Sequence, residues 1–284
     1  MKDNNLFQRL VLSGVLGWMA LFGAVPALML MGVSFLRRHP VDLIEPVFTL
    51  DNYVRLIEPA LGSMLLKSLG MATTATLLCL IIGYPFAYIV ARADKRYAKP
   101  MLLLVMIPFW TNTLIRTYAL VAVLKADGIV NKVLLFLGII DVPLKLMYSQ
   151  TAVFIGLIYT LLPFMILPLY AAIEKLDQRL LEASRDLGAS RWASFRKVTV
   201  PLTMPGIVSG CMLVFLPALG MFYIPDILGG ARTMLLGNYI RDQFLISRDL
   251  PEGAAASIAM TLIMGLMLVL YFKSIRQVGR KVRI

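Results

Sequence analysis

Apolar positions along the chain gather into six long stretches separated by short polar segments: Leu10 to Leu36, Leu65 to Ala91, Met101 to Leu124, Thr151 to Ile173, Met204 to Tyr223 and Gly253 to Phe272. A bilayer core of roughly 30 Å needs about 20 apolar residues in a helix, because only a helix satisfies its own backbone groups in lipid. The pattern therefore predicts an all-α polytopic membrane protein with six transmembrane helices. The first stretch is too long for a signal peptide and lacks a clear small-residue cleavage site. Between the third and fourth stretches, Asn131 to Ile140 is apolar but too short to span, and reads as an interfacial or re-entrant helix. The segment from Ile224 to Glu252 has room for short helices of its own. Neither a 20 to 50 residue repeat nor a low-complexity linker interrupts the chain, so residues 1–284 read as a single transmembrane domain.

Composition sharpens this picture. Of 284 residues, 59% are hydrophobic and only 15% charged, which excludes an ordinary soluble domain and a disordered chain. The net charge of +12 is distributed unevenly. With the N-terminus placed in the cytoplasm, the inner segments carry 17 of the 28 basic residues, Lys2 and Arg283 among them, and a net +11. The outer loops carry nine, including Arg232, and net to −1. The positive-inside rule thus places both termini in the cytoplasm and explains the basic balance without nucleic acid.

Several chemistries are excluded by what the chain lacks. Its one histidine, His39, sits beside Arg37 and Arg38 in an outer loop, so neither a His-based metal site nor a His-Asp pair can form within one copy. Cys79 and Cys211 lie in apolar runs without metal or redox spacing. There is no Gly-x-x-x-x-Gly-Lys-Ser/Thr run, so any nucleotide-driven work belongs to a partner. No Asp or Glu lies well inside a span, which disfavours a proton-coupled carrier. Arg116 is the clear in-span charge, about 22 Å along the helix from Met101. Snorkelling, a structural partner and a pore role all suit it.

A second pattern stands out in residues 174–201, too polar to lie in the membrane. Leu176, Leu180, Ala183 and Leu187 recur at i, i+4, i+7 and i+11, an apolar stripe with charges opposite. Gly188 follows where a left-handed turn is favoured, Ser190 is placed to cap a second helix through Lys197, and Pro201 is expected to break that helix before span five. Such a hairpin suits insertion into a partner's groove; it equally suits an amphipathic element lying on the membrane surface.

Glu182-Ala183-Ser184, three residues, Gly188, nine residues and Val198-Thr199-Val200-Pro201 resemble the EAA loop of bacterial ABC importer permeases, whose pattern is Glu-Ala-Ala, three residues, Gly, nine residues, Ile-x-Leu-Pro. The departures are Ser184, Val198 and Val200, all small or aliphatic. The resemblance implies type I importer permease architecture (MetI-like) and coupling to a partner ATPase through Glu182, Ala183, Ser184, Asp186, Gly188, Ala189 and Pro201. Further runs are similar to permeases of the spermidine/putrescine type (PotB type): Phe48-Thr-Leu-Asp-Asn-Tyr53, Gly83-Tyr-Pro-Phe-Ala87, Pro108-Phe-Trp-Thr-Asn-Thr-Leu-Ile-Arg116, Leu161-Leu-Pro-Phe-Met165 and Pro201-Leu-Thr-Met-Pro-Gly206. That likeness implies a bacterial inner-membrane importer of polyamines with a related second permease (PotC type), two P-loop ATPase subunits (PotA type) and an external polyamine-binding protein (PotD type). It also implies no cofactor on this chain, with ATP and Mg held by the ATPase. The same architecture serves other small solutes, and a secondary carrier or a membrane enzyme are the alternatives from other classes.

A pathway for a chain of ammonium groups should offer carboxylates, carbonyls and aromatic faces. Pro85, Pro108, Pro163, Pro168 and Pro217 each free an upstream carbonyl, or simply kink a packed helix. Trp110 and Asn112 place an aromatic face and an amide near the middle of span three, and Tyr223 and Asp226 flank the outer end of span five. Tyr84, Tyr88 and Tyr159 are further aromatic candidates.

Overall fold

The computed structural model describes residues 3–39, 41–230 and 234–281. Lys2, Arg232 and Arg283, counted in the charge asymmetry, lie outside the described residues. Among the described residues, five helical stretches are long and apolar enough to cross a membrane: Val11–Ser34, Pro59–Arg92, Gln150–Glu174, Arg191–Gly220 and Leu250–Lys273. The chain divides into two compact units, one built from the residues up to Ser63 together with Tyr239–Ile263, the other from Met64–Asn238 and the residues from Met264 onward.

In the first unit, helices α1 (Asp3–Met19) and α2 (Val25–Ser34) continue one another through a π turn at Ala20–Ala24. Val11, Leu12, Val15, Leu16 and Trp18 are all exposed, a helix surface that suits lipid. Two short antiparallel strands, β1 (Leu36–Arg37) and β2 (Glu45–Phe48), then lead into α3 (Asp51–Leu56). Buried Asn52 donates to the carbonyls of Ser34 and Leu36, both at 2.9 Å, closing that corner. A cluster of ions completes the unit. Arg55 meets Glu252 at 3.1 Å, Arg38 meets buried Asp249 at 3.4 Å, and the Tyr239 hydroxyl donates to Glu252.

The second unit contains most of α4 (Pro59–Arg92), followed by α5 (Lys95–Met106), α6 (Thr113–Leu124), α7 (Ile129–Phe136), α8 (Gln150–Glu174), α9 (Gln178–Asp186), α10 (Arg191–Ser194) and α11 (Val200–Gly220). The short helix expected within Asn131 to Ile140 is α7. Between Ile224 and Glu252 lie a π turn at Pro225–Gly229, α12 (Leu236–Leu245) and the start of α13 (Leu250–Lys281).

The core of this unit is the seam between α8 and α11. Leu157, Leu161, Met165, Ile166, Leu169 and Ile173 are fully buried along α8, facing Val214 and Leu219. Small residues let the backbones meet, as is common where helices pack in lipid. A Cβ on Gly206 would fall 2.4 Å from the Cβ of Ala172 and 2.8 Å from the carbonyl oxygen of Pro168. Tyr84 joins α4 to α11 through a 3.0 Å bond to the Thr203 hydroxyl.

Two expectations change. Span three is not one continuous helix: α5 ends in a tighter turn at Ile107–Trp110, Thr111 is extended, and α6 starts afresh. Pro108 supplies no backbone donor, and the Asn112 side chain accepts from the Leu114 N–H at 2.8 Å, capping the new helix. Conversely, Pro201 does not break its helix. A π turn at Phe195–Thr199 carries α10 into α11, with the Val200 N–H reaching back to the Phe195 carbonyl. The ladder shifts register one residue before the proline, and this wider turn lets the helix continue past a residue that supplies no donor.

Candidate functional site

Residues 174–201 fold as the helical hairpin that their spacing predicts, and the backbone bonds show why. Asp177 caps α9 by accepting from the Arg179 N–H at 3.0 Å, a cap not recognised in the sequence. At the other end, Gly188 adopts φ +82. Its N–H bonds to the Arg185 carbonyl at 2.8 Å, and the Ala189 N–H bonds to the Ser184 carbonyl at 3.0 Å. That pair of bonds is the Schellman turn, which needs a left-handed residue and therefore favours glycine. Ser190 caps α10 by accepting from the Ala193 N–H at 3.2 Å. The Ser184 and Ser194 hydroxyls join the two arms at 2.7 Å, and Ser184 also donates to the Leu181 carbonyl.

The apolar stripe is only partly folded inward. Of its members only Leu176 is buried, whereas Leu180 is 48% exposed and Leu187 90% exposed; the other buried leucine of this arm is Leu181, which lies off the predicted stripe. Ala183 is exposed as well, and Trp192, which sequence reasoning passed over, is 70% exposed and stacks on Phe195. The hairpin thus carries an outward apolar crest of Ala183, Leu187 and Trp192, while half-exposed Leu180 borders a cleft with Leu176, Ala172, Leu202 and Gly206. Glu182 and Asp186 are exposed beside the crest, Ala189 is half-buried and Pro201 is exposed at the start of α11.

The aromatic candidates fall into two groups. Tyr84 is buried against α11, and Phe195 meets the rings of Tyr84 and Tyr88 edge-on at 5.7 and 6.4 Å. The Arg92 guanidinium lies 5.7 Å from the Tyr88 ring centre. The second group surrounds Arg116, which is 7% exposed. Its guanidinium stands 5.7 Å from the Phe109 ring centre and 6.0 Å from that of Tyr159, and Nη2 donates to the Thr113 hydroxyl at 3.0 Å. Nε and Nη1 are buried with no hydrogen-bond partner among the described residues. Tyr223 interacts with Thr113 and Arg116 in the same group. Trp110 and Asn112 stand apart at the helix break, the indole 76% exposed and the amide used as a cap. Asp226 is exposed in the first turn of the π segment after α11.

A close-packed helix seam and a polar helical hairpin between two apolar helices suit a membrane protein that presents the hairpin outside the bilayer. Residues 83–284 match the model of the family described as "Binding-protein-dependent transport system inner membrane component". The chain belongs to that family. It is 51% identical over 282 residues to the spermidine/putrescine transport system permease protein PotB of Salmonella typhimurium, covering 99% of this chain and 98% of that protein. PotB of Escherichia coli K12 is 51% identical over 270 residues, covering 95% of this chain and 98% of its own length. Among solved structures, a bacterial ABC transporter importing the acidic polysaccharide alginate superposes with TM-score 0.77 at 19% identity, covering 98% of this chain and 96% of that one. The MetNI methionine ABC transporter in an inward-facing conformation gives TM-score 0.57 at 18% identity, covering 76% and 94%. As a member of this inner-membrane family the chain is a membrane transport component, and no enzyme activity is assigned to it.

Proposed function

We propose that this chain is the permease subunit of an ATP-driven polyamine importer, with residues 174–201 as the element that couples it to the ATPase. The observation that carries the coupling is the outward crest of Ala183, Leu187 and Trp192, presented by a hairpin whose turn and both caps are fully bonded. An exposed apolar face on a rigid two-helix lever finds its burial on another chain. Identity of 51% along nearly the whole length to spermidine/putrescine permeases supports the substrate class.

In this reading the chain is one transmembrane permease domain in the bacterial inner membrane with both termini cytoplasmic. It works with a PotC-type second permease, a pair of PotA-type P-loop ATPases that hold ATP and Mg, and a PotD-type external binding protein. Glu182, Ala183, Ser184, Asp186, Gly188, Ala189 and Pro201 transmit the ATPase motion. Ammonium groups pass the break before α6, where the exposed face of Trp110 takes a cation. Arg116 already occupies faces of Phe109 and Tyr159, so it acts as a positioning residue that fixes those rings while its charge keeps the cation from lodging there. Asp226, Tyr223, Tyr84, Tyr88 and Tyr159 line the route on either side.

The test is ATP hydrolysis by the purified complex on presentation of the external binding protein loaded with spermidine or putrescine. Stimulation by the loaded protein above the empty one supports the assignment. An unstimulated rate with both polyamines, in a complex that responds to another solute, removes the substrate class.

A further inference from the structure

Beside the hairpin, α4 and α9 border a half-open cavity of about 150 Å³ lined by Tyr88, Arg92, Gln178, Leu181, Glu182 and Arg185. Two guanidinium groups and one carboxylate give it a net charge of +1. Arg92 is half-buried, and its Nε and Nη2 atoms are enclosed without a hydrogen-bond partner among the described residues. These two nitrogens carry the parallel N–H donors of one guanidinium edge, the fork that matches two oxygens of a single phosphate or carboxylate group. A buried arginine edge without an acceptor is costly, and a small side-chain movement that opens this edge to the adjoining cleft lets an anion remove the deficit. Gln178 adds an amide donor and Tyr88 a ring beneath the Arg92 guanidinium.

The surroundings identify the kind of anion. Immediately after α4 the chain carries Lys95, Arg96 and Lys99, all exposed, with Tyr97 55% exposed among them. A tyrosine within a basic cluster at the end of an apolar helix marks the headgroup layer, and cations there gather phosphate-bearing lipids. We infer that the cavity between Arg92 and Arg185 is a phosphate-binding site that an anionic lipid headgroup occupies, at the root of the hairpin that carries the outward crest. Through Arg185 and Gln178, both on α9, the bound phosphate holds that arm of the hairpin against the end of α4.

Free phosphate shares the same chemistry, and two measurements separate the sources. The full complex is reconstituted in nanodiscs of mixed phosphatidylcholine and phosphatidylglycerol, and native mass spectrometry counts the phosphatidylglycerol that stays bound to this subunit. In parallel, inorganic phosphate is titrated into the complex in maltoside micelles, which contain no phosphate. Expected is retained phosphatidylglycerol on the wild-type complex and on Lys132→Gln, a remote control, with retention falling about tenfold in Arg92→Gln and in Arg185→Gln, the loss of one charge-assisted pair. Saturable inorganic phosphate binding that disappears in the same two variants, without lipid retention, assigns the site to free phosphate. Equal retention in all four proteins, with no saturable phosphate binding, overturns the inference. Because the readout is binding and not transport, failure here leaves the importer assignment untouched, and the reverse also holds. Arg185 is exposed, so its variant keeps the test decisive if Arg92→Gln does not fold.

Discussion

The hydroxyl of Ser184 lies 2.7 Å from the hydroxyl of Ser194, and this one bond ties the two arms of the hairpin across its turn. Ser194 is buried, so its partner is not replaced by bulk water. Ser184→Ala is expected to loosen the hairpin by about 1 kcal/mol, the net worth of one such bond. Hydrogen exchange of the complex should show faster exchange confined to residues 184–195, with polyamine uptake largely kept, since the EAA pattern itself has alanine there. Unchanged exchange would mean the arms are held by apolar packing alone.

Gly188 combines φ +82 with open space, no heavy atom lying within 4 Å of where a Cβ would stand. Substitution there is opposed by backbone strain and not by collision. Gly188→Val should raise the energy of the turn by about 1–2 kcal/mol and uncouple ATP hydrolysis from uptake while membrane insertion persists. Gly188→Asn, a residue that tolerates the left-handed region, should keep much of the activity. Full uptake in Gly188→Val contradicts the coupling role.

Gly206 is the opposite case. A side chain there meets the Ala172 Cβ at 2.4 Å and the Pro168 backbone at 2.8 Å, neither of which can step aside. Gly206→Leu should lower stability by about 3 kcal/mol or more, read as loss of monodisperse complex on size exclusion after mild heating. Wild-type behaviour would show that the α8–α11 seam is looser than its geometry implies.

Arg116 separates stability from function. Removing a buried charge whose Nε and Nη1 have no partner among the described residues relieves a desolvation cost. Arg116→Met is therefore expected to keep or raise the melting temperature of the complex while polyamine uptake falls, because Phe109 and Tyr159 lose the cation that fixes them. A lower melting temperature with normal uptake would make Arg116 a structural residue.

Outside the membrane, burial and then the bond to Glu252 push the Tyr239 phenol above its usual value of 10.0. The folded cluster keeps this proton after an unfolded tyrosine has released it. The stability it contributes is whole below about pH 10 and is lost as pH rises beyond that. Thermal denaturation across alkaline pH should show this decline in the wild type and a flatter profile in Tyr239→Phe. Parallel profiles would remove Tyr239 from the network of Arg55 and Glu252.

How much of this was legible in the sequence follows from the range of each interaction. The hairpin was, because its determinants are local: a glycine at the left-handed position, Ser190 as a cap, and apolar spacing. Which way the stripe faces was not, since burial of Leu176 and exposure of Leu187 depend on how the hairpin meets the rest of the second unit. Pro108 signalled a weakness in span three, but the break also needed Asn112 to cap the next helix, and a mid-span Asn reads equally well as a pathway amide. The π turn at Phe195–Thr199 has no compositional mark, so Pro201 read as a stop. The Arg116 group draws Tyr159 from α8 and Tyr223 from the segment after α11, and such pairings are set by tertiary packing.

The central claim is that the crest of the hairpin is buried on the ATPase. Its most direct measurement is site-directed crosslinking from Leu187→Cys in a background without Cys211, using native membranes that contain the whole complex. The account predicts a crosslink to the P-loop subunit that strengthens when ATP is bound, with none from Trp110→Cys. A Leu187→Cys that remains fully open to a water-soluble maleimide in the assembled complex, and forms no such crosslink, would contradict it.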